Sequence, residues 1–261
     1  GVPGAGLYKS DDAGDSWTLL PSTTGPNFRY IQKVVVTQSS TVLVSTRESL
    51  NEGGQAGIYR STDGGANWTL VITGRSGDIE IASNGDIYAN RNFTQSSSII
   101  KSTDDGVSWD DVTPTGGNTP RRIEMAIAPS QSSVSNETVI YAVAQDNSSS
   151  REVAWLRRSN DGGAIWSDLD IPNYREQNCS LSTQDFTRWL AFYDLILAVK
   201  PDDPDVFTLG GINVLRSTDG GSNTEEVSYW TFEGNPCDDF VHADQHEAVF
   251  RPGFPNEAIF G

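Results

Sequence analysis

The chain runs to 261 residues, 36% hydrophobic and 20% charged, enough to bury one large core or two small ones. Eighteen Lys and Arg against 35 Asp and Glu leave a formal net charge of −17, which argues against a nucleic-acid partner, because phosphates demand a basic face. Seven Trp and 10% aromatics exclude a disordered acidic chain. No membrane span is expected: the longest apolar run, residues 189–199, is short and broken by Asp194.

In chain order, the elements are organised by a repeat. A short β-rich run at 6–9 leads into Ser10, Asp12, Gly14 and Trp17. The same Ser-x-Asp-x-Gly-x-x-Trp pattern follows a run at 57–60 (Ser61, Asp63, Gly65, Trp68) and another at 99–101 (Ser102, Asp104, Gly106, Trp109). Runs at 122–128, 138–144 and 155–158 precede the fourth copy (Ser159, Asp161, Gly163, Trp166). Runs at 195–199, 206–210 and 214–216 precede the fifth, Ser217, Asp219 and Gly221, where Thr224 replaces Trp. The chain then closes on runs at 247–250 and 258–260. The repeats span 10–17, 61–68, 102–109, 159–166 and 217–224, so their starts lie 51, 41, 57 and 58 residues apart. That spacing fits four short strands per period, and no stretch reads as a helix of useful length. The expected fold is all-β, a β-propeller of four-stranded antiparallel blades, about five of them in this chain, occupying 1–261 as one domain or as part of a larger propeller.

Each repeat reads as a hairpin turn. The Asp carboxylate accepts backbone N–H groups, Gly supplies a positive φ, Ser ties the strand end, and Trp packs as an apolar anchor between sheets. Asp12, Asp63, Asp104, Asp161 and Asp219 are therefore read as structural. Calcium is not assigned to them, because the remaining oxygen ligands of a calcium loop are missing.

These residues resemble the Asp-box, or BNR, repeat of sialidases, of two-propeller xyloglucan-active hydrolases and of sortilin-type receptor ectodomains. The stretches from Tyr193 to Gly221 and from Val241 to His246 look like secreted bacterial Asp-box proteins labelled glycosyl hydrolase-like. The resemblance implies a propeller and a secreted or cell-surface location. It specifies activity poorly. Phe28-Arg29-Tyr30-Ile31 lacks the Pro of the sialidase Arg-Ile-Pro segment, and no arginine triad can be assembled. Only one propeller is present where the xyloglucan-type enzymes draw catalytic carboxylates from two.

In a propeller the repeats would decorate one face, and the long connections (46–57, 112–121, 145–153, 170–194 and 231–246) the other, where function is expected. Two clusters fall there. His242, Asp244 and His246 alternate as on one strand face, suited either to a divalent metal or acid–base work, or to holding the connection by hydrogen bonds. Asp238 and Asp239 lie just upstream. Trp189, Tyr193 and Asp194 suit stacking on a sugar ring, or else plug the space between blades. Asp194 and Asp244 together offer the two carboxylates of a glycosidase. Cys179 and Cys237, 58 residues or one local period apart, are expected to form a disulfide between two long loops. Sequons start at Asn67, Asn92, Asn136, Asn147 and Asn178. With two Cys, one Met and two His, no cofactor is expected. No signal peptide or targeting tail is visible, so any such segment has been removed or lies outside this chain. The reading is a secreted or cell-surface binding or scaffold module for a glycan or protein partner, with further domains of the same polypeptide in view. The alternative is a glycoside hydrolase working from the loop face.

Overall fold

The computed structural model describes residues 3–49, 52–92, 96–131, 138–148, 152–176, 179–230 and 240–261. They fall into two compact units, Gly1–Val112 and Thr113–Gly261.

The first unit opens with a two-stranded hairpin, β1 (Tyr8–Lys9) and β2 (Thr18–Leu19), then two single-turn 3-10 helices started by prolines, Pro21–Thr23 and Pro26–Phe28. Two four-stranded antiparallel meanders follow: β3 (Ile31–Val36), β4 (Val42–Thr46), β5 (Gly57–Ser61) and β6 (Thr69–Thr73), then β7 (Ile79–Ile81), β8 (Ile87–Arg91), β9 (Ser98–Ser102) and β10 (Asp110–Asp111). The period-2 geometry of strands sends alternate residues to opposite faces. Leu43 and Ile58 thus join Ile79, Ile87, Ala89 and Ile100 in one core, while Val44 and Tyr59 join Phe28 in another. The sheet β3–β6 is therefore buried on both sides at its middle strands.

The second unit repeats the plan. Its first meander is β11 (Pro120–Gln131), β12 (Thr138–Asp146), β13 (Val153–Ser159) and β14 (Ser167–Leu169). A hairpin, β15 (Asn173–Arg175) and β16 (Leu181–Asp185), precedes the second meander, β17 (Ile196–Val199), β18 (Phe207–Gly210), β19 (Val214–Ser217) and β20 (Glu225–Glu226). The hairpin β21 (Ala248–Phe250) and β22 (Ala258–Phe260) closes the chain. Every described residue of β12 except Asp146 is buried, which is why 138–144 reads as an almost unbroken apolar run rather than as alternation. Val139, Tyr141 and Val143 pack with Phe186, Leu195, Leu197, Phe207 and Leu209. The rings of Tyr141 and Phe207 sit 4.3 Å apart at 37°.

All five repeats form the same turn. The Ser hydroxyl donates to the Asp carboxylate at 2.7–3.0 Å and accepts the N–H of the repeat Gly at 2.8–2.9 Å. The same carboxylate oxygen accepts the N–H four residues on, at 2.8–2.9 Å. Two successive left-handed residues are needed. Gly fills both places in three copies, but Ala13 (φ 58°) and Asp105 (φ 62°) fill the first place in the others. Asp105 repays that strain with contacts: its carboxylate accepts from Ser39 (2.8 Å), Thr41 and Arg60 (3.0 Å), binding its turn to the neighbouring sheet.

Two expectations need correction. The connection 170–194 is not one long loop, because β15 and β16 lie within it. The repeat tryptophans are not uniformly buried anchors. Their indole N–H closes the turn by donating to the repeat Gly carbonyl at 3.1–3.2 Å, and Trp17 remains 62% exposed. Each stands immediately before the last strand of its hairpin or sheet, and Trp68 and Trp109 still pack against buried clusters.

Candidate functional site

After β16, two tight turns carry residues 186–195 into β17. Arg188 N–H donates to Asp185 O (3.0 Å), and Leu190 N–H to Thr187 O (2.9 Å). Leu190 O then accepts from Tyr193 (2.7 Å) and Asp194 (2.8 Å). Asp185 anchors the start, accepting from the Thr187 N–H and hydroxyl and from Val153 N–H, all within 2.8 Å. Phe186, Ala191 and Leu195 point into the core. The same turns force Arg188 (φ 49°) and Trp189 (φ 66°) into the left-handed region, at a cost on the order of 1–3 kcal/mol each that the core contacts must offset.

Because the buried residues of this segment take its inner side, the remaining aromatics face outward. Trp189, Phe192 and Tyr193 are 46%, 42% and 50% exposed. Trp189 donates its indole N–H to Glu152 (3.2 Å) in the β12–β13 connection, so two of the long connections meet here. Arg188 stacks over Trp230 (5.1 Å) and Tyr174 (5.8 Å).

Asp194 is the group the fold treats most unusually. It is fully buried, and neither carboxylate oxygen has a hydrogen-bond partner. Burial pushes its pKa from 3.8 to about 6, and the nearby Asp244 charge pushes the same way. The Asp244 backbone N–H, Arg122 and His242 oppose the shift without overcoming it. The amide of Asp244 lies near enough to favour the anion yet closes no hydrogen bond to it. Arg122 brackets the acid by donating to Tyr193 O and Leu195 O, each at 3.1 Å, and pairs with Glu124 at 3.0 Å.

The His242–His246 segment departs from expectation. It forms no strand, and Asp244 has φ 68°, which breaks the alternation that would place His242, Asp244 and His246 on one face. His242, 78% exposed in its side chain, turns Nδ1 to the Ala243 carbonyl at 2.6 Å and stays 4.0 Å from Asp244. Gln245 is the buried member, donating to the His242 carbonyl. His246 packs edge-on against Tyr193, centroids 4.5 Å apart. Among the described residues, no three His, Cys, Asp or Glu side chains converge as metal ligands do. Asp238, Asp239 and Cys237 lie outside the described residues.

The structure thus joins Tyr193 and Asp194 with Asp244 and His246 into one acidic, aromatic-rimmed patch of the second unit. Sequence reasoning missed Arg122, Glu124, Glu152 and Phe192. The exposed Phe192 was legible as an aromatic next to Tyr193, whereas the role of Arg122 carries no local signal, because the two carbonyls it holds beside Asp194 lie 71 and 73 residues away.

No protein-family model matches the sequence, and no curated protein matches it. Solved structures do share its fold. An ancestral GH74 enzyme superposes with a TM-score of 0.62 at 14% identity, over 97% of this chain and 34% of that one. YCF48 bound to a D1 peptide gives 0.57 at 16%, over 97% and 68%. An α-L-arabinofuranosidase from Fusarium graminearum, in complex with an iminosugar inhibitor, gives 0.52 at 13%, over 98% and 79%. The fold is a β-propeller. The chain spans about a third of the length of the ancestral GH74 enzyme. Among the described residues, no helix is long and apolar enough to cross a membrane.

Proposed function

We propose that this chain belongs to a secreted or cell-surface Asp-box propeller that binds a glycan or protein partner through the patch around Tyr193. The observation that carries the reading is the trio Trp189, Phe192 and Tyr193. Three large aromatic side chains stand nearly half-exposed within five residues, on a backbone held rigid by core neighbours. Aromatic faces stack on sugar rings and anchor protein interfaces, and the surrounding acids can accept hydroxyl or amide hydrogens. The similar fold of an α-L-arabinofuranosidase in complex with an iminosugar inhibitor and that of YCF48 bound to a D1 peptide support both partner classes. A glycan array and a peptide array on the full-length protein test it. Trp189→Ala and Tyr193→Ala should each weaken binding about tenfold or more with unchanged melting temperature; binding indifferent to both substitutions refutes the patch.

One observation favours a second reading, glycoside hydrolysis. Asp194 is held protonated up to about pH 6 with the second carboxylate, Asp244, close by, as a general acid is, and because its oxygens are sealed this reading requires the residues over it to move aside for substrate. Hydrolysis of arabinans or β-glucans that is abolished by Asp194→Asn supports it, and turnover untouched by that change removes Asp194 from the chemistry.

A Cys179–Cys237 disulfide belongs to the same proposal. No described cysteine is a free thiol, and Cys179 sits at the tip of the β15–β16 hairpin with φ 65°, its carbonyl held by Arg175. Intact mass should rise by two hydrogens on reduction; alkylation of both thiols without reductant overturns the pairing.

A further inference from the structure

We infer that the first unit carries a binding pocket for a small monocarboxylate, of the size of a hexuronic acid, organised by Arg47. A cleft of about 320 Å³ lies between the segment leading into β3 and the end of β4, with Gly4, Gly6, Arg29, Tyr30, Gln32 and Arg47 among its walls. That volume is at the small end of ligand sites, which run from about 300 to 1,000 Å³, and suits a single ring rather than an extended chain.

Arg47 follows β4 directly. Its backbone N–H donates to Tyr30 O at 3.0 Å, and its guanidinium lies 4.6 Å over the Tyr30 ring. Its Nε is sealed from solvent with no acceptor, and its side chain makes no hydrogen bond to any described residue. The other arginine of the cleft is committed: Arg29 donates to Glu52 (2.9 Å) and to Gly4 O (3.1 Å). The acid next in sequence is committed too, since both oxygens of Glu48 accept from Arg75 at 2.6 and 2.7 Å.

In a chain where acids outnumber bases 35 to 18, most described arginines hold an acceptor, whereas Arg47, like Arg188 on its two rings, has only an aromatic partner. Arg60, Arg157, Arg158 and Arg216 each hold a carboxylate. A planar guanidinium held over a tyrosine ring and opening on a cleft fits the two oxygens of a carboxylate. Arg29 and Glu52 cancel, and Glu48, though close enough to feel the Arg47 charge, gives both oxygens to Arg75, so the cleft can balance one carboxylate, whereas a dianionic phosphate would add charge to an already acidic surface. The exposed Gln32 offers an amide for a ring hydroxyl.

Calorimetry and saturation-transfer NMR on the full chain test the assignment, with D-galacturonate and D-glucuronate as probes and D-galactose and acetate as controls. The uronates should bind at least tenfold more tightly than galactose, with affinity falling as salt rises. Arg47→Met, which keeps the stem and removes the charge, should erase that preference, and Arg47→Lys should retain part of it. Uronates that bind no better than galactose overturn the proposal. So does a preference that survives in a folded Arg47→Met variant. Should Arg47→Met fail to fold, the wild-type spectrum decides: shifts must fall on Tyr30 and Arg47. The aromatic patch of the second unit fails separately, because Tyr193→Ala should leave uronate binding unchanged. A uronate signal lost in Tyr193→Ala but intact in Arg47→Met places the ligand on that patch and refutes the pocket.

Discussion

Asp194→Asn removes a titration while nearly preserving shape. In the folded chain this carboxyl titrates at about 6 instead of 3.8. A shift of about two units, at about 1.4 kcal/mol per unit, corresponds to about 3 kcal/mol of preference for the neutral form. Between the two pKa values the native state holds a proton that the unfolded chain has lost. Stability therefore falls as pH rises. The contribution is complete below about pH 4, is lost as pH climbs through about 6, and is gone above about 7. Asn cannot ionise. Its amide meets the same unpartnered surroundings at every pH, which adds an offset but no slope. The difference in unfolding free energy, variant minus wild type, should therefore grow by about 3 kcal/mol from about pH 4 to about pH 8. Urea unfolding followed by tryptophan fluorescence measures it, and titrations common to both proteins cancel. A difference flat with pH refutes the burial argument. One that shrinks as pH rises would mean that Arg122 and His242, not desolvation and Asp244, control the acid.

Asp244→Asn should lower the Asp194 pKa and recover part of that loss above pH 6, read in the same experiment. The repeat carboxylates act in the opposite sense. Asp12, Asp63 and Asp104 are held at about 2 by hydrogen bonds to their charged form, so the stability they contribute is present above pH 3.8 and lost as pH falls towards 2. Asp104→Asn should flatten the acid limb of a melting-temperature profile; an unchanged limb would show that the turn is indifferent to the charge. Phe207→Ala, which empties a fully buried site against Tyr141, should cost about 3–5 kcal/mol in urea unfolding. Arg157→Met should cost about 1–3 kcal/mol, through the Thr115 and Gly116 carbonyls it leaves without donors rather than through its exposed partner Asp168.

The repeat was legible because its physics is local. Ser, Asp, Gly and the N–H four residues beyond the Asp lie within seven positions of one another, so pattern alone implies the hydrogen bonds later found in all five copies. The runs at 138–144, 195–199 and 206–210 were legible for a related reason, since burial on both faces demands continuous apolar strands, and 122–128 was legible through the alternation of Ile123, Met125 and Ile127. The hairpin at 173–185 escaped notice because strands of three and five mostly polar residues carry no periodic signal. His242, Asp244 and His246 misled through their alternation, since nothing in the residue types announces a left-handed Asp244. What only the tertiary structure decided is which charges lack partners. Asp194 is an ordinary acid in sequence, and becomes a buried one because core packing on both sides of it closes over its oxygens. Arg47 is an ordinary base, and becomes an open-handed one because the acids around it are taken by Arg29 and Arg75. Solvation and long-range pairing set the chemistry of both residues, and neither is written in the residues beside them.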